Sequence, residues 1–477
     1  MRGIRMSSVD VICLFIFSQV FVLFDYPGHA GIFIERRILM ATLTFKGGVH
    51  PYDGKDLSKD KSIVPYLPKG DLIYPLSQHI GAPASPVVAK GDRVLVGQKI
   101  AEAGGFVSSP IYASVSGVVK AIEPHFVSTG AKVNSIVVEN DGLYEEAPGL
   151  SIKPFDQMTK EDILGVIRES GVVGMGGAGF TTHVKLSPKD PDKIDYVLVN
   201  CAECEPYLTS DYRIMMERPE KVVGGLKVVL ELFGSAQGCI CIEDNKPEAI
   251  KIMQKECEGE TRIQVKVLKT KYPQGAERML IHAVTGRDLN SRMLPADLGC
   301  VVDNCDTITS IYDAVILGKP LTSRIVTISG DAIKSPSNFE CKMGTNVAEL
   351  IEAAGGFKTQ EKKVISGGPM MGFAMFDLEV PTTKTTSAIT CLANDAVSES
   401  QTTACINCGR CVTACDEGLI PARLSQFAEK FDLESFQKWH GMECVECGCC
   451  SYACPAKRPL AQMIKNVRRM VMANRKK

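Results

Sequence analysis

Hydrophobic and polar positions change rhythm several times along this chain, and each change marks a new kind of structure. From Thr42 to about Gly142, short apolar runs are split by Gly, Pro and Asp, the spacing of short strands and tight turns. From about Ile152 the pattern alternates between helical and strand-like segments. Residues 159–170 predict a helix opened by Thr159, with Glu161 and Asp162 in its first turn. Buried strands are predicted at 194–199, 238–242 and 263–268, with helices at 221–233 and 247–256 between them. That order predicts an open α/β domain on a mostly parallel sheet. From about Leu321 the pattern is β-rich again: a strand at 324–331, then a short helix at 345–354 closed by Gly355-Gly356. Residues 421–439 and the basic stretch 465–477 are helical in pattern. The latter carries Val467, Met470 and Val471 on one side, and a solvated terminal helix is the expectation.

The expected fold class is therefore multidomain α/β and β, with a small helical C-terminal domain. The boundaries expected are 40–150, 151–320, 321–395 and 396–477. Residues 9–24 are nearly all apolar, broken by Asp10, Ser18 and Gln19, which is short for a membrane span. Arg2 and Arg5 precede them, as in a signal peptide, but export conflicts with the cysteine chemistry below. Glu35-Arg36-Arg37 can be encoded by triplets that contain a ribosome-binding sequence, and Met40 follows after a short gap. We read 1–39 as a mis-assigned start, with an N-terminal anchor as the alternative.

Net charge is −1, which gives no reason to expect nucleic acid as a partner. Nineteen cysteines would suggest disulfides in a secreted chain. Nine of them crowd into two runs, Cys405-x2-Cys408-x2-Cys411-x3-Cys415 and Cys444-x2-Cys447-x2-Cys450-x3-Cys454-Pro455, with Cys449 beside Cys450. Each run is the bacterial ferredoxin pattern for a [4Fe–4S] cluster, in which the fourth Cys serves the other cluster. The expected sets are Cys405, Cys408, Cys411 and Cys454 on one cluster, and Cys444, Cys447, Cys450 and Cys415 on the other. Structural zinc, the alternative, has no use for two matching runs of this form. Asp416 stands where Pro is usual, and Cys449 reads as a spare thiol. Low-potential clusters need a reducing compartment, so the expectation is cytoplasmic. Two such clusters conduct single electrons, so the rest of the chain must deliver or accept them.

The sandwich stretches 91–100 and 111–119 resemble the two halves of a lipoyl-type domain. The carrier Lys of that type is missing from the hairpin tip, Ser108-Ser109-Pro110, so a structural or docking role is expected. In the α/β region, Gly174-Met175-Gly176-Gly177-Ala178-Gly179-Phe180-Thr181-Thr182-His183-Val184-Lys185 lets backbone approach a ligand closely. It is neither a Walker loop nor a Rossmann fingerprint. His183 and His440 read as surface or loop residues.

With Asn200-Cys201-Ala202-Glu203-Cys204-Glu205-Pro206 and Tyr272-Pro273-Gln274-Gly275-Ala276-Glu277, this loop resembles the FMN- and NADH-binding subunit of respiratory complex I. Asn304 and Thr307 sit where that family has Asn-Asn-x-x-Thr. The resemblance implies FMN on Gly174, Gly176, Gly177, Gly179, Lys185, Asn200 and Asn304, with Tyr272, Gly275 and Thr307 completing the cofactor site. It implies NAD(H) near Phe180, Glu203, Glu205 and Glu277, with Phe180, Glu205 and Glu277 closest to the chemistry. Met175, Thr181 and Ala276 depart from the family's Arg, Pro and acid. Residues 321–395 resemble a β-grasp (SLBB-like) module.

The order of sandwich, flavin domain, β-grasp and clusters resembles the RnfC family of Rnf electron-transport complexes. The likeness runs from Lys46-Gly47-Gly48-Val49-His50-Pro51 to about Leu460. It implies a peripheral subunit on the cytoplasmic face of the membrane, partnered by the other Rnf subunits and, indirectly, by ferredoxin. Two alternatives stay open: a cobalamin reductase-type protein of a microcompartment, and a flavin-free electron relay.

Overall fold

The computed structural model describes residues 43–475 and, in a separate unit (Met1–Thr42), a hairpin of Cys13–Ile16 paired with Gln19–Val22. The reading of 1–39 as a false start or an anchor otherwise falls outside the described residues.

The α/β region folds around a four-stranded parallel sheet in the order Ile263–Leu268, Gln237–Glu243, Tyr196–Cys201, Cys300–Asn304. Its two inner strands are buried almost throughout, because helices cover both faces. On one face Val197, Val199, Ile240 and Ile242 pack against Leu226, Val229, Ile308 and Ile311. Helices Pro219–Leu232 and Cys305–Leu317 meet there at Gly225, where an added Cβ would lie 2.1 Å from the Ile308 carbonyl. On the other face Leu198, Cys239 and Cys241 pack against Leu280 and Ile281 of helix Glu277–Thr285. The predicted helix at 159–170 is Lys160–Glu169, started by a reciprocal Thr159–Asp162 cap.

The sandwich core is Leu72, Tyr74, Ile100, Ile111, Ile136 and Val138. Its hairpin tip is buried against the rest of the chain. The Lys384 ammonium reaches Ser109 Oγ at 2.9 Å, the Pro110 carbonyl, and the Gly171 carbonyl at 2.8 Å. A lysine does occupy the tip, but it arrives from the β-grasp module and acts as a strut.

The β-grasp module has a six-stranded mixed sheet with helix Val347–Ala353 against it, around Val326, Ile328, Phe339, Leu350 and Ile389. Its edge strand, Ile63–Tyr66, comes from the N-terminal region and pairs in parallel with Ser337–Lys342. Leu43 meanwhile bridges Leu268 at the edge of the flavin-domain sheet. Residues 43 to about 70 are therefore shared among several modules rather than packed into the sandwich.

The cluster domain is held by Leu424, Phe436, Ile464, Val467 and Val471. Here the terminal helix departs from expectation. Leu460–Arg475 is docked, with Val467 and Val471 buried, and Lys465 and Arg468 both pair with Glu446. Val467 and Val471 of its apolar stripe are used up by this packing, while Met470 stays exposed. His183 is also buried, 3.2 Å from the Phe106 carbonyl, whereas His440 is exposed. Among the described residues no helix is long and apolar enough to cross a membrane.

Burial with no carboxylate partner pulls the Lys384 pKa down to about 7. The unfolded chain keeps that proton up to the ordinary lysine range, so stability should rise as pH climbs from about 7 towards that range. Lys384→Ala should abolish this slope and cost on the order of 3 kcal/mol, since it orphans three buried acceptors. Denaturant melts across pH check both.

Candidate functional site

Asn200 and Asn304 end two adjacent parallel strands, which places them at the carboxyl edge where α/β sheets bind ligands. The glycine loop folds over this edge. Gly174 N–H donates to the Phe180 carbonyl at 2.7 Å, and Val173 bridges Thr181, so the loop closes like a hairpin. Gly176, Gly177 and Ala178 are left exposed. At Gly176 a Cβ would fall 2.7 Å from the Asn304 side chain, so backbone and asparagine touch directly. Met175, in place of the expected arginine, is a buried anchor whose N–H donates to Thr307 Oγ1 at 3.0 Å.

Asn200 donates to the Gly275 carbonyl at 2.8 Å and accepts from Ala202 N–H at 3.2 Å. Asn304 caps the helix after it through Asp306 N–H and donates to Asp211 at 2.7 Å. The Lys185 ammonium reaches the Val302 carbonyl at 2.7 Å and Asp303 Oδ1 at 3.1 Å. Burial opposes its charge, but Asp303 and then Glu277 outweigh it and hold Lys185 above its ordinary value. Burial likewise raises the Glu277 carboxyl, against the pull of Lys185.

The structure thus gathers the glycine loop, Lys185, Asn200, Gly275, Asn304 and Thr307 at one edge, with Glu277 beside Lys185. It does not offer Glu203 and Glu205 freely. Glu203 is buried, accepting from Asp211 N–H at 2.8 Å and facing Lys55 at 3.8 Å. Glu205 Oε1 accepts from the Met370 and Met371 N–H groups at 2.7 and 3.0 Å, tying it to the β-grasp loop. Lys55, Asp211 and Met370 were missed in the sequence because their partners are distant in the chain and no local motif marks them. Burial, then Glu203 and Asp306, push the Asp211 carboxyl up to about 8.

The residues present fit a polar ligand that approaches the glycine-loop backbone. Thr181 Oγ1, both amide atoms of Gln274, Asp303 Oδ2 and Glu203 Oε2 are buried without a hydrogen-bond partner. Such atoms are rare unless a ligand or water satisfies them.

The cysteines surround two cavities. Cys405, Cys408, Cys411 and Cys454 line one, together with Ile406 and Leu460. Cys415, Cys444, Cys447 and Cys450 line the other. Each run turns through left-handed backbone at matching positions, Asn407 and Gly409 in one, Glu446 and Gly448 in the other. Among the described residues no three His, Cys, Asp or Glu side chains close around a single metal ion. The donor set suits a larger, positively charged metal core. Burial pushes the Cys415 thiol up to about 12 and Cys444 to about 11, so ionising them calls for metal charge at the site. Cys449 also borders this second cavity, with its thiol 3.8 Å from the Tyr272 carbonyl. The Tyr272 hydroxyl donates to the Cys447 carbonyl at 2.7 Å, so the flavin-domain segment 272–275 touches the second cavity.

Family models match in the same order as these modules. They are an RnfC barrel sandwich hybrid domain at 43–143, a Nuo51 FMN-binding domain at 167–313, an SLBB domain at 325–374 and a 4Fe-4S dicluster domain at 404–457. Fold and site together define a flavin- and iron–sulfur-carrying oxidoreductase component. Its relatives narrow this. The C subunit of the proton-translocating ferredoxin:NAD(+) oxidoreductase complex of Clostridium ljungdahlii is 47% identical, over 88% of this chain and 93% of the relative. The corresponding subunit of the Na(+)-translocating complex of Acetobacterium woodii is 43% identical, over 91% and 98%. That of the ion-translocating oxidoreductase complex of Rhodobacter capsulatus is 40% identical, over 84% and 78%. The chain belongs to the RnfC family of these ion-translocating complexes.

Because the folded Asp211 holds its proton to about pH 8, its burial costs stability as pH rises from the ordinary carboxylate range. Asp211→Asn, of the same shape but uncharged, should melt higher than the parent at pH 8, by a margin that shrinks steadily and closes as pH falls into the ordinary carboxylate range. A melting series across pH measures the difference.

Proposed function

We propose that this chain is the peripheral NADH- and flavin-handling, iron–sulfur subunit of an ion-translocating ferredoxin:NAD+ oxidoreductase complex. The observation that carries the reading is contiguity. One segment, 272–275, meets Asn200 at the sheet edge and the Cys447 carbonyl at a four-cysteine cavity. A site for hydride exchange and a site for single electrons are therefore neighbours.

In this reading Gly174, Gly176, Gly177 and Gly179 give FMN its close backbone approach, and Lys185 offers it a cation. Asn200, Tyr272, Gly275, Asn304 and Thr307 complete the cradle. When bound, FMN supplies the exchange between two-electron hydride chemistry and one-electron steps. Phe180 gives the nicotinamide a stacking face at the loop mouth. Glu277 sets the charge around Lys185. Glu203 stiffens the strand end from beneath, and Glu205 clamps the β-grasp loop against the site. Cys415, Cys444, Cys447 and Cys450 hold the cluster next to Tyr272. Cys405, Cys408, Cys411 and Cys454 hold the outer one, where Cys405 and Cys408 are exposed to a partner. The membrane spans belong to other subunits of the complex, and this chain sits against them on the cytoplasmic face, exchanging electrons with ferredoxin through them.

Anaerobic protein should carry FMN and about eight irons, and NADH should bleach the flavin. Clusters without an NADH-reducible flavin would replace this reading with a bare electron relay. Lys185→Ala should lower FMN content with the fold intact, measured by flavin release and circular dichroism. Cys450→Ala should remove about half the iron, and Cys449→Ala should remove none; equal losses would reverse the ligand choice.

A further inference from the structure

The motif Lys46-Gly47-Gly48-Val49-His50-Pro51 has no part in the cofactor sites, yet it lies between two of them. Just before it, Leu43 extends the edge of the flavin-domain sheet, bonding Val267 and Lys269. Val49 and Tyr272 then exchange both backbone hydrogen bonds, at 2.8 and 2.9 Å. On the other side Gly48 N–H donates to the Ala414 carbonyl at 3.0 Å, next to Cys415. The Tyr452 hydroxyl reaches the His50 carbonyl at 3.5 Å. The Val49 side chain packs with Tyr272, Ala414, Cys447 and Cys449.

Both glycines are required by this position. Gly47 and Gly48 have φ of +83° and +79°. A Cβ on Gly47 would lie 2.6 Å from the Cys415 carbonyl, and one on Gly48 would lie 2.6 Å from the Tyr272 carbonyl. The two residues thus press one face of backbone on the cluster loop and the other on the flavin-domain segment. Lys271 locks the strap from outside, bonding the Phe45 carbonyl at 2.6 Å with its ammonium over the Phe45 ring.

We infer that this strap is a positioning element for electron transfer, setting the gap between the flavin site and the cluster of Cys415, Cys444, Cys447 and Cys450. The inference rests on the function proposed above. The step it governs is the movement of one electron: the reduced flavin loses one, the oxidised cluster gains one, and no bond is made or broken. Such transfer slows steeply with separation, so a spacer held by these backbone bonds and by the packed Val49 side chain controls its rate without touching either cofactor.

The test uses the full chain with its cofactors, carrying Gly47→Ala or Gly48→Ala. Flavin and iron content and the rate of flavin bleaching by NADH should match the parent. Cluster reduction after flavin reduction should slow by at least about tenfold, as small misplacements of reacting groups do. In the apoprotein, amide exchange at Gly48, Val49 and Tyr272 should quicken while the strand Tyr196–Cys201 stays protected. Cluster reduction at the parent rate, with exchange loosened, would overturn the inference. If the glycine variants lose iron, Val49→Ala decides, since it removes the side chain packed between Tyr272, Ala414 and Cys447 and loosens the seam without a clash at the cluster loop: slower cluster reduction supports the strap, and an unchanged rate overturns it. If NADH fails to reduce the parent's flavin, the proposed function falls, and photoreduced flavin serves as donor for the same comparison.

Discussion

The hydrogen bond from the Tyr272 hydroxyl to the Cys447 carbonyl joins two domains that are otherwise built on different principles. The flavin domain is stiff because a parallel sheet is covered on both faces. The cluster domain is small and loop-rich, with one modest apolar core. Burial makes Tyr272 an effective joint: it is 2% exposed, so its hydroxyl has no water to turn to, and a broken bond would leave both partners unpaired. Strap, joint and cluster loop then form one layer beside the flavin edge.

Beneath that edge lies an unusual amount of buried charge. Lys246 pairs with Glu243 and Arg324 with Asp306, both well shielded from water, and the half-buried Lys185 pairs with the buried Asp303. Buried pairs of this kind contribute little net stability, but removing one partner is costly. Their effect is to hold strand ends and caps in one arrangement, which a site relying on backbone approach to a flat ring requires. Arg324 is informative here, because it links the flavin domain's Asp306 to the Lys384 carbonyl of the β-grasp module. The module is fastened to the glycine-loop side, and Glu205 fastens it again through Met370 and Met371.

Much of this was legible in sequence wherever the determining contacts are local. The strand at 263–268 and the helix at 247–256 follow from periodicity, because their burial is set within one element. The crossed grouping of Cys415 and Cys454 is expected from the ferredoxin pattern, in which the fourth Cys serves the other cluster, and the two cavities group them that way. What stayed hidden depends on chain-distant partners. Ile63–Tyr66 carries a strand signal but no address, and only the structure shows it serving the β-grasp sheet. Glu205 reads from its motif as a residue near NAD(H), and its hold on the β-grasp loop stayed hidden because its partners lie 165 and 166 residues away. The terminal helix displays an apolar stripe, and whether solvent or Phe436 covers it is decided outside the helix.

In the function proposed above, flavin and clusters form one conductor within one chain. Rapid anaerobic mixing with NADH, following flavin and cluster absorbance at several protein concentrations, tests it most directly. Flavin should bleach first, and cluster reduction should follow at a first-order rate that does not change with protein concentration. Cluster reduction that speeds up in proportion to protein concentration would mean electrons pass between molecules, and would contradict it.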